Sequence, residues 1–439
     1  MIETSALYKS IVAGPHEFEW KVKINTATYY DTQIVRNANS DCAPRISRQT
    51  FPSGSPSIGN CLSSEFSVTL LEPSYNIPRI GSVKPYFRAV PASGEPSEWI
   101  QAGEFFIDMR RYDIETKTTT LTCYDAMLKA EGQGGNSYYD LTRIVTWPAS
   151  ASSVVSDIAS IIGVSVDSRT ALQSGFMVDD PGDLTMREVL GYIAAEHCGN
   201  WVITAEGMLR LIPLCGDDTD TIPLGLSADS MEVMPALREW TKVTLSKDRE
   251  IYYTAGDDSG IAITAEDPWA TQAKANYAIT VVDGISYQPF SASNAFVDPA
   301  VELGDEITFT NGNNTLTSNV WSIDLICDEF SIPTVGAPGG DEYSHEYPYI
   351  PLVRRRVRRV EEEVEELEDS IEETVDTEVD QKLDLALVRA KKMDFNGWDS
   401  GSFYEILDND VRVDYTVLFD AQDRPVMIVD GSHVCEIVW

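Results

Sequence analysis

The sequence predicts a mainly β protein with an α+β insertion, a trimeric coiled coil and a small C-terminal β domain. Three observations lead to this fold class. Short runs that alternate apolar and polar residues recur before residue 130 and again after residue 216. Between these two segments the apolar spacing changes to that of helices. A heptad repeat then begins at residue 353, and strand-like runs resume after it.

Composition and charge limit the classes of function. The chain has 439 residues, which at roughly 150 residues per domain suggests about three domains. Its formal net charge of −37 argues against tight binding to nucleic acids or anionic membranes. We expect no signal peptide and no transmembrane helix, because no apolar run is long enough. Seven cysteines without a CxxC pair predict reduced, buried thiols in a protein made in a cytoplasm.

Residues 1–130 are predicted to form a first β domain. Residues 66–71 and 118–124 alternate with period 2 and are rich in β-branched residues, as strands of a half-buried sheet require. Clusters of proline and glycine between such runs indicate turns. The pattern is typical of an antiparallel barrel or sandwich.

Residues 131–215 are predicted to form a small α+β insertion domain. Apolar residues at helical spacing predict a helix over 152–162. A second helix is predicted to begin at Thr185, which has capping-box spacing with Glu188. Residues 201–212 then read as a hairpin.

Residues 216–335 are predicted to form a second β barrel, followed by a linker over 336–352 that is rich in proline and glycine. Residues 393–439 are predicted to form the C-terminal β domain. Strands of the second barrel are expected at residues 242–246, 251–254, 261–264, 278–282, 306–310 and 320–326.

The coiled coil is predicted over residues 353–392. Its apolar seam alternates steps of four and three residues through Val353, Val357, Val360, Val364, Leu367 and Ile371. Valine at both seam positions favours three or more strands over two. If Val353 is a d position, Arg356 and the Glu361 of a neighbouring chain can form an interchain ion pair. A single exposed helix or a solvated charged tail is the alternative interpretation.

Searches for catalytic and metal-binding motifs predict no catalytic residue, cofactor or metal, and therefore no enzyme. The four histidines do not form HExxH, and neither GxSxG nor Walker A occurs. His197 ends a predicted helix and is expected to be structural. Acidic loops at 179–183, 217–220 and 257–258 either bind Ca²⁺ or are solvated turns, and none has EF-hand spacing.

Three groups of short motifs occur in a fixed order. The first comprises residues 46–49, Gly59, residues 63–70, residues 103–108 and residues 121–127. The second is the helix and hairpin at 183–212, and the third comprises residues 266–271, 287–290, 298–299 and 302–305. In order and spacing they resemble the tail hub family of bacteriophages, also called baseplate hub or tail-tip proteins.

The resemblance implies a virion structural protein, assembled in the host cytoplasm. It implies a homotrimer in which two hub-type barrels per subunit form a pseudo-sixfold ring. Such a ring joins a hexameric tail tube or distal tail ring to a threefold tip or fibre. It surrounds a passage through which DNA moves without being bound tightly. Partners implied are distal tail and tube proteins, a tape measure protein, and a fibre or tip protein reached through the coil and C-terminus, without membrane insertion.

Two other functions are kept open. Family members often continue into a peptidoglycan-cleaving or fibre segment, whereas this chain continues into a coil and a small β domain. An adhesin is the main alternative, with aromatic residues of the C-terminal domain stacking on sugars or filling a trimeric core. These residues are Trp398, Phe403, Tyr404, Tyr415, Phe419 and Trp439. A cell-wall hydrolase is the third function considered, and no residues for it were found.

Overall fold

Antiparallel strands form most of the first 131 residues, where buried apolar positions alternate with more exposed polar ones. The computed structural model describes residues 1–36, 43–52, 56–73, 76–131, 137–225, 231–233, 239–248, 251–285, 287–292, 297–311, 314–331, 333–339 and four strands between 402 and 436. The strands of the first segment are β1 (His16–Ile24), β2 (Ala27–Tyr30), β3 (Arg45–Gln49), β4 (Glu65–Leu70), β5 (Ser82–Pro91), β6 (Ile100–Gln101), β7 (Phe105–Asp113) and β8 (Thr118–Tyr124).

One α-helix and two short 3₁₀ helices accompany these strands. They are α1 (Ala6–Val12) and the 3₁₀ helices Asp31–Gln33 and Ala126–Glu131. The sequence predicts strands throughout this segment, so α1 is a correction. Ser5 caps α1, because its hydroxyl oxygen accepts a hydrogen bond from the Tyr8 N–H at 3.1 Å.

The insertion segment contains the two predicted helices and the predicted hairpin. Its elements are α2 (Tyr138–Leu141), β9 (Ala149–Ser150), α3 (Ala151–Ile162), β10 (Met177–Val178), α4 (Met186–Glu196), β11 (Gly199–Ile203) and β12 (Leu209–Pro213). Gly163 ends α3 in the left-handed conformation, at a φ of 81°. Thr185 and Glu188 form the predicted capping box at the start of α4. The prediction for α3, α4 and the hairpin is therefore confirmed.

The second β segment is more varied than the strand pattern predicts. It contains β13 (Asp217–Gly225), β14 (Met231–Val233), β15 (Trp240–Ser246), β16 (Tyr252–Gly256), β17 (Ile261–Glu266), α5 (Gln272–Val282), β18 (Phe290–Ala292), β19 (Asp305–Asn311), β20 (Asn314–Asn319), β21 (Ser322–Ile326) and β22 (Pro333–Ala337). Two of its strand pairs, β13–β19 and β15–β17, are parallel. β22 extends into the predicted linker.

The strand predicted at 278–282 is wrong, because these residues end α5. The run is rich in β-branched residues, which favour a strand by local preference. Thr271 nevertheless caps a helix by accepting a hydrogen bond from the Lys274 N–H, and Ala275, Ala278 and Val282 form its buried face. Tertiary burial of this face outweighs the local preference.

One sheet of twelve strands joins the first and second β segments. Its order is β14–β18–β22–β21–β3–β4–β8–β7–β5–β1–β2, with β6 beside β5. β3 pairs with β4 on one edge and with β21 on the other, where Asp324 lies opposite Ser47. After β2, the Val35 N–H donates to the Thr69 carbonyl at 2.9 Å, which brings the chain back to β4. The mainly β class is confirmed, with a large antiparallel sheet.

Two hydrophobic clusters form the core of residues 1–347. One lies mainly in the two β segments, where it includes Phe66 and Leu325, and it continues into the insertion segment at Val202. The other lies mainly in the insertion segment around Trp201, whose indole N–H donates to the Leu190 carbonyl at 2.8 Å. Each fully buried side chain of this size contributes about 1.5–3 kcal/mol to stability.

The chain forms two compact units, Met1–Tyr347 and Pro348–Trp439. The described part of the second unit is a four-stranded antiparallel sheet, ordered as in the chain. Its strands are β23 (Ser402–Leu407), β24 (Val411–Phe419), β25 (Pro425–Val429) and β26 (His433–Glu436).

Candidate functional site

The predicted coiled coil lies outside the described residues. This applies to the seam residues Val353, Val357, Val360, Val364, Leu367 and Ile371 and to the predicted pair Arg356 and Glu361. Their roles stay predictions. In the described residues, the candidate functional site is the place where the first β segment, the insertion segment and the second β segment meet. We call this place the module junction.

The first β segment reaches the module junction at Arg48, which lines a small cavity with Arg210 of the insertion segment and Glu302 of the second β segment. Arg48 on β3 is buried, and its Nη2 donates a hydrogen bond to the Ala102 carbonyl, next to Gly103. Asp125, after β8, accepts from the Ser64 N–H at 2.8 Å and from the Met127 N–H at 3.0 Å. Burial raises the pKa of Asp125 to about 6, although these bonds oppose the shift. Both side chains hold backbone segments in place.

A charged network connects the insertion segment to the second β segment. The Arg169 guanidinium pairs with Asp167 at 2.6 Å and reaches the Glu302 carboxylate at 3.3 Å. Asp305 accepts from the Glu302 N–H at 2.8 Å and from the Met1 ammonium at 2.5 Å. Burial raises the pKa of Asp305, although the ammonium opposes the shift. Three distant parts of the sequence are thereby held together.

A second, more deeply buried cluster connects α4 to α5. The Lys274 ammonium on α5 pairs with the Glu196 carboxylate on α4 and donates to the Trp269 and Met177 carbonyls, at 2.9 and 3.1 Å. Burial raises the pKa of Glu196 well above its usual value, and the negative charge of Asp267 adds to the shift. Burial also raises the pKa of Asp267 to about 6. Two buried carboxyls therefore share one buried cation.

A loop of the first β segment extends the sheet of the insertion segment. Cys61 bridges Trp201 of β11 in parallel, and the Trp201 N–H donates to the Asn60 carbonyl at 2.8 Å. Gly59, at a φ of 82°, packs against Gly191 in the middle of α4. Only glycine at position 191 leaves room for the Gly59 carbonyl, because a Cβ atom there would lie 2.7 Å from its oxygen.

A cleft of about 400 Å³ opens beside this contact. Its walls include Ile58, Leu62, Arg187, Tyr192 and Glu266, which come from all three segments. Arg187 is already engaged, because it pairs with Glu131 at 2.9 Å and donates to the Met127 carbonyl at 3.1 Å. The cleft thus brings three segments together but contains no catalytic pair among its described walls.

His197 and His16 both contact backbone groups nearby in the sequence. His197 caps α4, with Nδ1 at 2.7 Å from the Ile193 carbonyl oxygen and Nε2 accepting from the Gln173 N–H at 2.9 Å. Burial lowers the pKa of His197 to about 4, so the ring is neutral at pH 7. His16 lies 2.7 Å from the Gly14 carbonyl oxygen. The predicted structural role of His197 is confirmed.

Within the described ranges, no group of three or more His, Cys, Asp and Glu side chains is arranged to hold a metal ion. None of the helices in the same ranges is long and apolar enough to cross a membrane. In the acidic loops, Asp180 accepts from the Gly182 N–H at 3.0 Å and Asp257 from the Ser259 N–H at 2.8 Å. Both carboxylates thus stabilise local turns.

Sequence reasoning missed the Lys274–Glu196–Asp267 cluster. Lys274 is in line with Ala275, Ala278 and Val282 on the buried face of α5, so a lysine on an apolar stripe was the available signal. Glu196 is the last residue of α4 and is fully buried. Its partner lies 78 residues away, and such a pairing is set by the tertiary fold alone.

No family model matches the sequence, and the search of curated proteins found no match. Solved structures similar to this chain include phage tail proteins, the class that the sequence motifs resemble. One is the 43 kDa tail protein of prophage MuSo2 from Shewanella oneidensis, at 12% identity over 73% of this chain and 97% of that chain, with a TM-score of 0.45. A tail protein from Neisseria meningitidis is 10% identical, covering 74% and 98% of the two chains, with a TM-score of 0.44. A prophage tail protein from Listeria monocytogenes is 10% identical, covering 72% and 93%, with a TM-score of 0.45.

Proposed function

We propose that this chain is a structural component of a phage tail tip or baseplate. In this proposal it is a trimeric hub that joins the hexameric tail tube or distal tail ring to a threefold tip or fibre. The observation that carries the proposal is the convergence of the hub-like motifs at the module junction. Arg48 of the first motif group and Glu302 of the third line one small cavity together with Arg210 of the insertion segment. Glu302 and Asp305 also carry charge contacts across segment boundaries, to Arg169 and to the Met1 ammonium.

The sheet shared by the two β segments supports a structural role. β21 of the second segment pairs with β3 of the first through five residue pairs, so one continuous sheet joins the two segments. In a trimer, two β segments per chain give six around the axis, which matches a sixfold tube. The two hub-type barrels, the predicted domain boundaries and the trimeric ring are parts of this proposal.

The acidic composition supports a passage for DNA that does not hold it. At −37 per chain, a trimer repels the phosphate backbone, and it lacks the excess of cations that would release counterions on binding. Solubility of the unassembled chain is the other effect of the same charge. Acidic residues along the axis of a trimer structure support the passage, and neutral or basic residues there contradict it.

The mass of the purified full-length chain, measured by light scattering, tests the trimer. We expect three times 48.6 kDa. The double variant Val360→Asp/Val364→Asp places charge in the predicted seam and should shift the mass towards the monomer. A wild-type chain that stays monomeric at micromolar concentration, alone and with purified tail tubes, contradicts the proposed hub.

An adhesin is the alternative function, and the aromatic residues of the C-terminal unit are the observation that favours it. Binding of the full-length chain to a glycan array, lost in a Tyr415→Ala variant, would support it. A zymogram on cell walls tests the hydrolase. Clear lysis by the pure chain would contradict the proposal that it is not an enzyme.

A further inference from the structure

The C-terminal sheet has one face that is almost entirely apolar. Residues paired across antiparallel strands share a face, so the register of β23–β26 sorts the sequence into two sets. One set, which we call face A, comprises Phe403, Glu405, Leu407, Val411, Val413, Tyr415, Val417, Phe419, Pro425, Met427, Val429, His433 and Cys435. All of these positions except Glu405 and His433 are apolar or aromatic.

The opposite face, face B, is mixed. Its register positions are Ser402, Tyr404, Ile406, Arg412, Asp414, Thr416, Leu418, Val426, Ile428, Val434 and Glu436. Polar and charged residues occupy the middle of β24 on this face. The difference between the faces is typical of a sheet that packs against a hydrophobic core on one side and is exposed to solvent on the other.

The described residues of this unit form strands only, and a four-stranded sheet does not bury its own face. Another surface must therefore pack against face A. At about 4.8 Å between strands and about 20 Å along them, face A measures on the order of 400 Å². Three such faces together amount to about 1,200 Å², or about 400 Å² for each pairwise contact, so association of the sheets also depends on the tether that holds the chains together.

We infer that face A packs against face A of two sister chains, so that the three C-terminal sheets enclose a common apolar core. This inference rests on the proposed trimer and extends it to a surface for which no interface is yet assigned. The sequence before the sheet indicates that sister chains provide the surface that packs against face A. Residues 353–392 carry the valine seam that favours three strands, and only residues 393–401 lie between that seam and β23.

The short connection makes the sister sheets the favoured partners. Nine residues span at most about 30 Å, so a trimeric coil confines three sheets to a small volume. Tethering at this distance gives effective concentrations in the millimolar range. Three of the aromatic residues considered for sugar stacking, Phe403, Tyr415 and Phe419, occupy face A positions. Their place in a trimeric core leaves Tyr404 as the aromatic residue on face B.

Alkylation of Cys435 in the full-length chain tests this inference, because Cys435 occupies a face A position. We expect iodoacetamide to modify Cys435 at least about tenfold more slowly than the cysteine of a Thr416→Cys variant on face B, as mapped by peptide mass spectrometry. A trimeric mass with equal reaction at both positions overturns the inference and leaves the hub proposal standing. A monomeric mass of the wild-type chain instead contradicts the proposed trimer.

Two further variants identify the cover. Val413→Asp on face A should speed alkylation of Cys435, whereas Thr416→Asp on face B should leave it slow. In Val360→Asp/Val364→Asp, the monomeric chain should lose the protection of Cys435. Protection that persists in the monomer means that the chain covers face A itself, and protection that returns only with an added glycan assigns the face to a receptor. Either result overturns the inference, and the first comparison remains valid if Val413→Asp fails to fold.

Discussion

The carbonyl oxygen of Gly59 lies 2.7 Å from the position that a Cβ atom on Gly191 would occupy. Replacing a glycine inside a helix by alanine ordinarily stabilises the helix by about 1 kcal/mol. Here we expect the opposite sign, because the new methyl group must push the Gly59 loop away from α4 and β11. Gly191→Ala should lower the free energy of unfolding by about 1–3 kcal/mol, measured by urea denaturation.

Ser160→Ala is the matched control for this substitution. Ser160 lies on the exposed side of α3, so its replacement reports helix preference alone and should be neutral or slightly stabilising. A gain in stability for Gly191→Ala of the size that helix preference gives would contradict the close contact.

Removing the cation of the buried cluster should be costly. Lys274→Met keeps the apolar stem but leaves the Glu196 and Asp267 carboxyls buried without their positive partner. We expect a loss of about 3–5 kcal/mol in the free energy of unfolding. The double variant Lys274→Met/Glu196→Gln should recover most of the loss, because it also removes the buried carboxyl that has lost its partner.

Lys242→Met provides the comparison for this experiment. Lys242 pairs at 2.7 Å with Asp258, whose side chain is 86% exposed. An exposed ion pair is worth less than about 1 kcal/mol, so this variant should unfold almost as the wild type does. Equal losses for Lys242→Met and Lys274→Met would mean that burial does not set the energy of the α4–α5 cluster.

Glu196 should make the protein less stable as the pH rises. Its pKa in the folded chain is raised well above 4.5, so the folded state keeps a proton that the unfolded state releases. The stabilisation is complete below the unfolded pKa and is lost as the pH rises through the folded pKa. Glu196→Gln should flatten the decline of the urea midpoint between pH 5 and 8. Glu206→Gln, at an exposed turn, is the matched control, and an equal change of slope in that variant would contradict the role of Glu196.

His197 should act in the opposite direction in acid. Burial lowers its pKa from 6.5 to about 4, so the unfolded state takes up a proton before the folded state does. The stabilisation is complete above pH 6.5 and is lost as the pH falls through 4, by about 3 kcal/mol in total. His197→Gln should reduce this loss relative to wild type, measured by denaturation between pH 7 and 4. A His16→Gln control that changes the slope as much would assign the acid sensitivity elsewhere.

Local sequence patterns predicted the elements whose signals lie within a few residues. The capping box of Thr185 and the glycine that ends α3 each depend on contacts within four residues, and both were found. The same local reasoning failed at α5, where β-branched residues favour a strand and a buried face requires a helix. Local preference predicts an element only when the tertiary fold agrees with it.

Local sequence patterns could not predict the contacts at the module junction. The motifs indicated which residues matter, yet Arg48, Asp125, Glu302 and Asp305 gave no sign of lying together. Tyr8 and Asp298 illustrate the reason, because their 2.5 Å hydrogen bond joins residues 290 positions apart. Contacts of this kind depend on the complete path of the chain and have no periodicity to reveal them.

The pairing of β3 with β21 has a consequence for biosynthesis. Arg45 and Asp324, which form an ion pair across these strands, are 279 residues apart. At about 5–20 residues per second, the ribosome needs tens of seconds to deliver the second strand after the first. Throughout that interval, the edge of β3 that pairs with β21 remains unpaired. The nascent polypeptide therefore completes its large sheet only after β21 has been translated.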